Sequence, residues 1–71
     1  MFRQQVRSNS IASVGYDPRS KTLEVEFGDG RGVFRYYNVP QNTFYGLMGA
    51  SSKSLYFDYH IQRRYAFMKY S

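Results

Sequence analysis

The first half of the chain alternates apolar and polar residues, which is the pattern of a strand with one buried face. Within residues 22–27, Leu23, Val25 and Phe27 fall on one face and polar residues fall on the other. Weaker alternation predicts two more strands, at residues 11–16 and 33–39. The links between these segments are short and rich in Gly, Pro and Asp, so we expect consecutive strands to pair as an antiparallel meander.

After Pro40 the spacing of apolar residues changes from two to about 3.6. Phe44, Leu47 and Met48 recur at i, i+3 and i+4, which predicts a helix over residues 41–50. Proline suits the first turn of such a helix, because the N–H group that it lacks would have no partner there. We therefore expect the sheet to end at this point and helical structure to begin.

A second helix is predicted from about residue 53 to residue 65, because Phe57, Ile61 and Tyr65 recur at i, i+4 and i+8. The element order is then β-β-β-α-α. The predicted fold class is α+β, with a three-stranded antiparallel β-meander followed by two α-helices packed on one face of the sheet.

The length of 71 residues predicts one domain. Residues 1–9 are polar and basic without any period, so we expect a flexible basic N-terminal arm that joins a single domain over residues 10–71. No apolar run suggests a signal peptide or a membrane span, and cysteine is absent. These features predict a cytoplasmic protein.

The two periods also predict which side chains meet in the core. The nine residues expected to be buried together are Leu23, Val25, Phe27, Phe34, Tyr36, Phe44, Leu47, Phe57 and Ile61. The opposite face of the middle strand carries Glu24 and Glu26, which we expect to pair across strands with Arg35 or other cations.

Charge and composition narrow the function classes. Ten Lys and Arg against five Asp and Glu give a net charge of +5, which favours a polyanionic partner. With no cysteine and a single histidine, we predict no metal site and no cofactor. His60 is the only candidate for a general base near neutral pH, and Asp58 lies on another face of the predicted helix, so we predict that the protein is not an enzyme.

Several short segments together form a familiar pattern. They are Ser10-Ile11, Gly15-Tyr16-Asp17, Phe34-Arg35-Tyr36-Tyr37-Asn38-Val39-Pro40, Ala50-Ser51-Ser52-Lys53-Ser54 and Tyr56-Phe57, with Ile61 and Tyr65. The sequence resembles the KTSC domain family over roughly residues 8–70. That family takes its name from a C-terminal extension of some lysyl-tRNA synthetases, and it also occurs as stand-alone proteins in bacteria and phages.

The resemblance makes Phe34, Tyr36 and Tyr65 family-motif residues. The hallmark of the family is Tyr-x-Tyr, which here reads Phe34-Arg35-Tyr36, so the first hydroxyl is missing. A second difference is Ser54, where the family usually has glycine. Attachment to a synthetase implies RNA binding, and the resemblance supports the predicted fold.

The second predicted helix carries the candidate binding residues. Lys53, Tyr56, His60, Arg63 and Arg64 fall within about 100° of arc on an ideal helix. Cations can bind phosphates and aromatic rings can stack on bases, so this basic face is a candidate nucleic-acid site. The alternative is an ordinary solvated helix face, with cations at its C-terminal end complementing the helix dipole.

Three functions fit these features. The first is a non-catalytic module that binds RNA, either tRNA-like or single-stranded, through that basic face. The second is a protein interaction module that docks an acidic partner. The third is a homo-oligomer formed through the free edges of the first and third strands.

Overall fold

In a computed structural model, which describes all 71 residues, the chain forms five antiparallel strands and two helices. Their order along the chain is β1 (Gln4–Gln5), β2 (Ile11–Asp17), β3 (Thr22–Phe27), β4 (Gly32–Tyr36), α1 (Gln41–Gly49), α2 (Lys53–His60) and β5 (Phe67–Lys69). The strands lie in the sheet in the same order, from β1 at one edge to β5 at the other. The predicted α+β class, with two helices and an antiparallel sheet, is confirmed.

The sheet is larger than predicted, because each end of the chain adds a strand. Gln4 and Gln5 pair with Val14 and Ser13, so the segment predicted to be a flexible arm forms an edge of the sheet. At the other edge, β5 pairs with residues 34–36. Strands of two and three residues are too short to show alternation, so the sequence pattern could not reveal them. The edges of β2 and β4 that were expected to be free for oligomerisation are therefore covered.

The second helix ends at His60, five residues before its predicted end. The N–H groups of Ile61 and Gln62 both donate to the carbonyl of Phe57, at 3.0 and 2.8 Å, which closes the last turn. Arg63 then adopts a φ of 67°, in the left-handed region that a right-handed helix cannot continue through. Ile61 is nevertheless buried, so the apolar spacing extends past the end of the helix.

The predicted core is largely confirmed. Seven of its nine residues are buried, while Phe34 and Phe44 are partly buried and pack against the others. Leu47 from α1 and Phe57 from α2 belong to the same apolar cluster as residues of β2, β3 and β4, so both helices cover one face of the sheet. Neither helix is long and apolar enough to cross a membrane.

Candidate functional site

Three of the five predicted binding residues share one face of α2. Lys53, Tyr56 and His60 lie within about 60° of arc on an ideal helix. The rings of Tyr56 and His60 are 4.4 Å apart between centroids, and the Lys53 ammonium group donates a hydrogen bond of 3.2 Å to the carbonyl of Ala50. His60 is exposed, whereas Lys53 and Tyr56 are half-buried.

The other two predicted residues lie in the turn after the helix. Arg64 folds back, and its Nε donates a hydrogen bond of 2.8 Å to the carbonyl of Tyr59. Arg63, in its left-handed conformation, lines a separate cavity beside the sheet. The prediction that all five residues share one helical face is therefore wrong for Arg63 and Arg64, because α2 ends before either of them.

Tyr56 also connects the two helices. Its hydroxyl donates a hydrogen bond of 3.1 Å to the carbonyl of Thr43 in α1. Its ring lies directly against Gly46, where an added Cβ would come within 2.7 Å of the Tyr56 Cζ atom. The glycine in the middle of α1 is thus required for close packing of the two helices, which offsets its poor helix propensity.

We expect Gly46→Ala to lower the free energy of unfolding by about 1–3 kcal/mol, because the methyl group would push Tyr56 away from α1. Gly49→Ala is the matched control at the end of the same helix, since nothing lies within 4 Å of its added Cβ. This control should be neutral or stabilising by up to about 1 kcal/mol. Urea denaturation of both variants measures the difference, and equal effects would contradict the packing role of Gly46.

A cavity of about 390 Å³ opens between the sheet and the turn after α2. It is lined by Phe27, Arg31, Phe34, Tyr36, Phe57, Gln62, Arg63 and Phe67. Five of these eight residues are aromatic, and we call this site the aromatic cavity. Its size lies at the lower end of the roughly 300–1,000 Å³ that is typical of small-ligand pockets.

The rings of the aromatic cavity pack against one another. Phe57 makes edge-to-face contacts with Phe27 and Tyr36, at centroid distances of 5.4 and 5.3 Å. Tyr36 also stacks on Phe67 at 5.5 Å. Phe67 is 57% exposed, so much of its ring is open to solvent. The wall is thus rigid on the side of the core and accessible on the side of β5.

Tyr36 places a polar atom in this apolar surface. The residue is only 5% exposed, and its hydroxyl makes no hydrogen bond within the protein. Every fully buried polar atom of a side chain has a hydrogen-bond partner, so this hydroxyl is open to solvent. Burial raises the pKa of this hydroxyl above its ordinary value, and the charge of Arg31 partly opposes that effect. Tyr36 is therefore a neutral phenol with an unused donor at neutral pH.

Two guanidinium groups accompany the apolar wall. Arg31 lies over the ring of Phe27, with 4.1 Å from Cζ to the ring centroid, and its Nε pairs with Asp29 at 2.8 Å in an exposed ion pair. Arg63 makes no ion pair and no side-chain hydrogen bond within the protein. Of the family-motif residues, Phe34 and Tyr36 line the aromatic cavity, whereas Tyr65 packs against the core elsewhere.

On the opposite face of the sheet, two arginines share one buried carboxylate. Glu24 is 2% exposed and accepts hydrogen bonds from Arg3 and from Arg35, the latter at 2.8 Å. Burial opposes the ionisation of Glu24, but the two arginines prevail and hold its pKa below the ordinary value. The ring of Tyr70 covers Arg35 at 3.7 Å from Cζ. The expected pairing of Glu24 with Arg35 is confirmed, while the contribution of Arg3 had no signal in the sequence.

Comparisons with known proteins agree with this fold. A crystal structure of a KTSC domain protein from Yersinia pestis matches with a TM-score of 0.96 and 36% sequence identity, covering 99% of this chain and 97% of that one. An uncharacterized protein of Stutzerimonas stutzeri is 40% identical over 58 residues, which are 82% of this chain and 80% of that protein. A protein of Tsukamurella paurometabola is 39% identical over 49 residues, 69% of this chain and 72% of its own length. Residues 7–65 match the KTSC domain, and the chain belongs to that family.

Proposed function

We propose that this protein is a non-catalytic, cytoplasmic module that binds RNA through α2 and the turn that follows it. The distribution of charge is the observation that supports this proposal. Lys53, Arg63 and Arg64 make no ion pair, whereas Arg3 and Arg35 on the opposite face of the sheet share the buried carboxylate of Glu24. The charges of Lys53, Arg63 and Arg64 are thus free to meet a polyanion.

The same region offers rings as well as cations. Lys53 and Arg63 stand near the two ends of an eight-residue helix, and the paired rings of Tyr56 and His60 lie on the helix surface after Lys53. Lysine and arginine bind phosphates without regard to sequence, and exposed rings stack on unpaired bases. This combination is typical of single-stranded RNA recognition, in which the bases are free to leave their stack.

We expect the double variant Arg63→Glu, Arg64→Glu to weaken RNA binding for all sequences and to flatten its salt dependence. Three phosphate contacts to a single strand predict a slope of log K against log salt of about −2, and one remaining contact predicts about −0.7. Fluorescence anisotropy with a labelled single-stranded RNA, at salt concentrations from about 50 to 200 mM, measures both slopes.

The double variant Arg19→Glu, Lys21→Glu is the matched control. Both residues are exposed in the turn between β2 and β3 and make no ion pair. Replacing them changes the net charge by the same amount as replacing Arg63 and Arg64. The control should bind more tightly than the Arg63, Arg64 variant. Equal loss in the two variants would show that only net charge matters, and the assignment of the site to α2 would then be wrong. Circular dichroism of each variant confirms that it folds.

A second candidate function is the docking of an acidic protein. The observation that favours it is the exposed apolar surface of the last strand, where Phe67, Met68 and Tyr70 are each more than half exposed. An extended segment could add to the outer edge of β5 by backbone hydrogen bonds. Charge reversal would weaken this binding as well, so direct titration with RNA alone separates the two functions. If no amide within residues 53–69 shifts, the RNA proposal fails and the protein partner takes its place.

A further inference from the structure

We infer that the aromatic cavity binds one unstacked base of a single-stranded RNA, with the phosphate of that nucleotide held by Arg31 and Arg63. This inference rests on the proposed function and adds to it a site, a ligand group and a role for Tyr36. The cavity lies beside the sheet, separate from the face of α2 that carries Lys53, Tyr56 and His60.

The shape and lining of the cavity fit a flat, unsaturated ring. Phe27, Phe57 and Tyr36 form a preformed wall of edge-to-face contacts that needs no rearrangement before a ring enters. Phe67 presents an exposed ring on which a base can stack. At about 390 Å³ the cavity has room for a single nucleobase and part of its sugar, and a longer ligand would have to continue outside it.

The hydroxyl of Tyr36 adds a possible polar contact to this apolar site. The ring of Tyr36 is buried, but its hydroxyl is open to solvent, because no fully buried polar atom of a side chain lacks a partner. No group of the protein accepts a hydrogen bond from this hydroxyl, so its donor is free for water or for a ligand. The exocyclic oxygens and ring nitrogens of a base are acceptors of the kind that this hydroxyl lacks.

The charge at the cavity favours a nucleotide over an uncharged aromatic compound. Arg63 has no partner in the protein, and the guanidinium of Arg31 is shared with a single exposed carboxylate. Guanidinium groups bind phosphate oxygens through paired hydrogen bonds. Because Arg63 lies only three residues after the end of α2, the same strand of RNA can contact the helix and the aromatic cavity.

The test is an NMR titration of the full chain with three probes: hexauridylate, uridine 5′-monophosphate and ribose 5-phosphate. We expect hexauridylate to shift the amides of Tyr36, Phe67 and Arg63. Millimolar uridine 5′-monophosphate should shift the same amides. Ribose 5-phosphate, which lacks only the base, should not shift those of the cavity wall.

Two variants then test the contacts. Tyr36→Phe keeps the ring and removes the hydroxyl, and it should weaken the binding of hexauridylate about three- to tenfold. Phe67→Ala removes the stacking ring, and it should weaken binding about tenfold. The matched controls are Tyr37→Phe and Phe2→Ala, which remove the same groups outside the cavity and should leave affinity unchanged. Thermal denaturation of all four proteins separates lost binding from lost folding.

The outcomes distinguish this inference from the proposed function. If hexauridylate shifts only residues 53–60 and both cavity variants bind normally, the inference is wrong and RNA binding stands. If hexauridylate binds nowhere, RNA binding fails and the inference fails with it. If an acidic peptide containing phenylalanine shifts the cavity amides and neither uridine probe does, the occupant is a protein side chain and a base is excluded.

Discussion

Replacing Phe57 with alanine should lower the free energy of unfolding by about 3–5 kcal/mol. The residue is 4% exposed and contacts both Phe27 and Tyr36 edge to face, so its removal leaves a void between α2 and the centre of the sheet. Domains of this size are stable by only about 5–15 kcal/mol, so the variant should be close to unfolding at room temperature. Urea denaturation followed by circular dichroism measures the change.

Leu55→Ala is the matched control for this prediction. Leu55 lies on the same helix, two residues earlier, and is 57% exposed. Its replacement removes a large apolar side chain from the surface, so the free energy of unfolding should change by no more than about 0.5 kcal/mol. A loss of similar size in both variants would mean that α2 contributes mainly through its own helicity, and the packing described for Phe57 would be wrong.

Replacing Glu24 with glutamine should lower the free energy of unfolding at pH 7 by about 3 kcal/mol. The side chain keeps its shape but loses the charge that pairs with Arg3 and Arg35, and removing one partner of a buried ion pair typically costs about 3–5 kcal/mol. Glu26→Gln is the matched control on the same strand and face. Glu26 makes no ion pair and only accepts a hydrogen bond of 2.8 Å from Ser13, so this control should cost less than about 1 kcal/mol.

The effect of Glu24→Gln should depend on pH. Because the folded protein holds the pKa of Glu24 below its ordinary value, the charged form stabilises the fold above the unfolded pKa of about 4.3. That contribution is lost as the pH falls through the lower, folded value. Protonated glutamate resembles glutamine, so the difference between wild type and variant should shrink at acidic pH. A difference that stays constant from pH 7 to pH 3 would show that the ion pairs do not stabilise the fold.

Sequence patterns predicted the parts of the fold that depend on side-chain burial. Alternation identified β3 correctly because Leu23, Val25 and Phe27 face a core that extends along the whole strand. It could not identify β1 or β5, which are held by backbone pairing at the edges of the sheet. The apolar spacing from Phe57 to Ile61 also hid the end of α2, because the turn that follows the helix buries Ile61 as a further helical turn would have done.

The candidate site was predictable only in its components. Periodicity assigned Tyr36 to the core, and that assignment is correct, but the freedom of its hydroxyl depends on which groups surround it in three dimensions. The aromatic cavity also needs Phe67, which sits in a strand that the sequence did not reveal. Helical spacing predicts that Arg63 lies on a helix face, but the left-handed turn places it beside the aromatic wall.

Part of the cavity wall belongs to the last strand, so the wall is complete only while that strand is docked. β5 is three residues long, lies at the edge of the sheet and supplies Phe67 to the cavity wall. Short edge segments open locally at a small fraction of the free energy of global unfolding. Only molecules with β5 docked have a complete wall, so the apparent affinity is reduced in proportion to the undocked fraction. Changes within residues 66–71 that never touch a ligand can thus tune its binding, by shifting the equilibrium between docked and undocked strand.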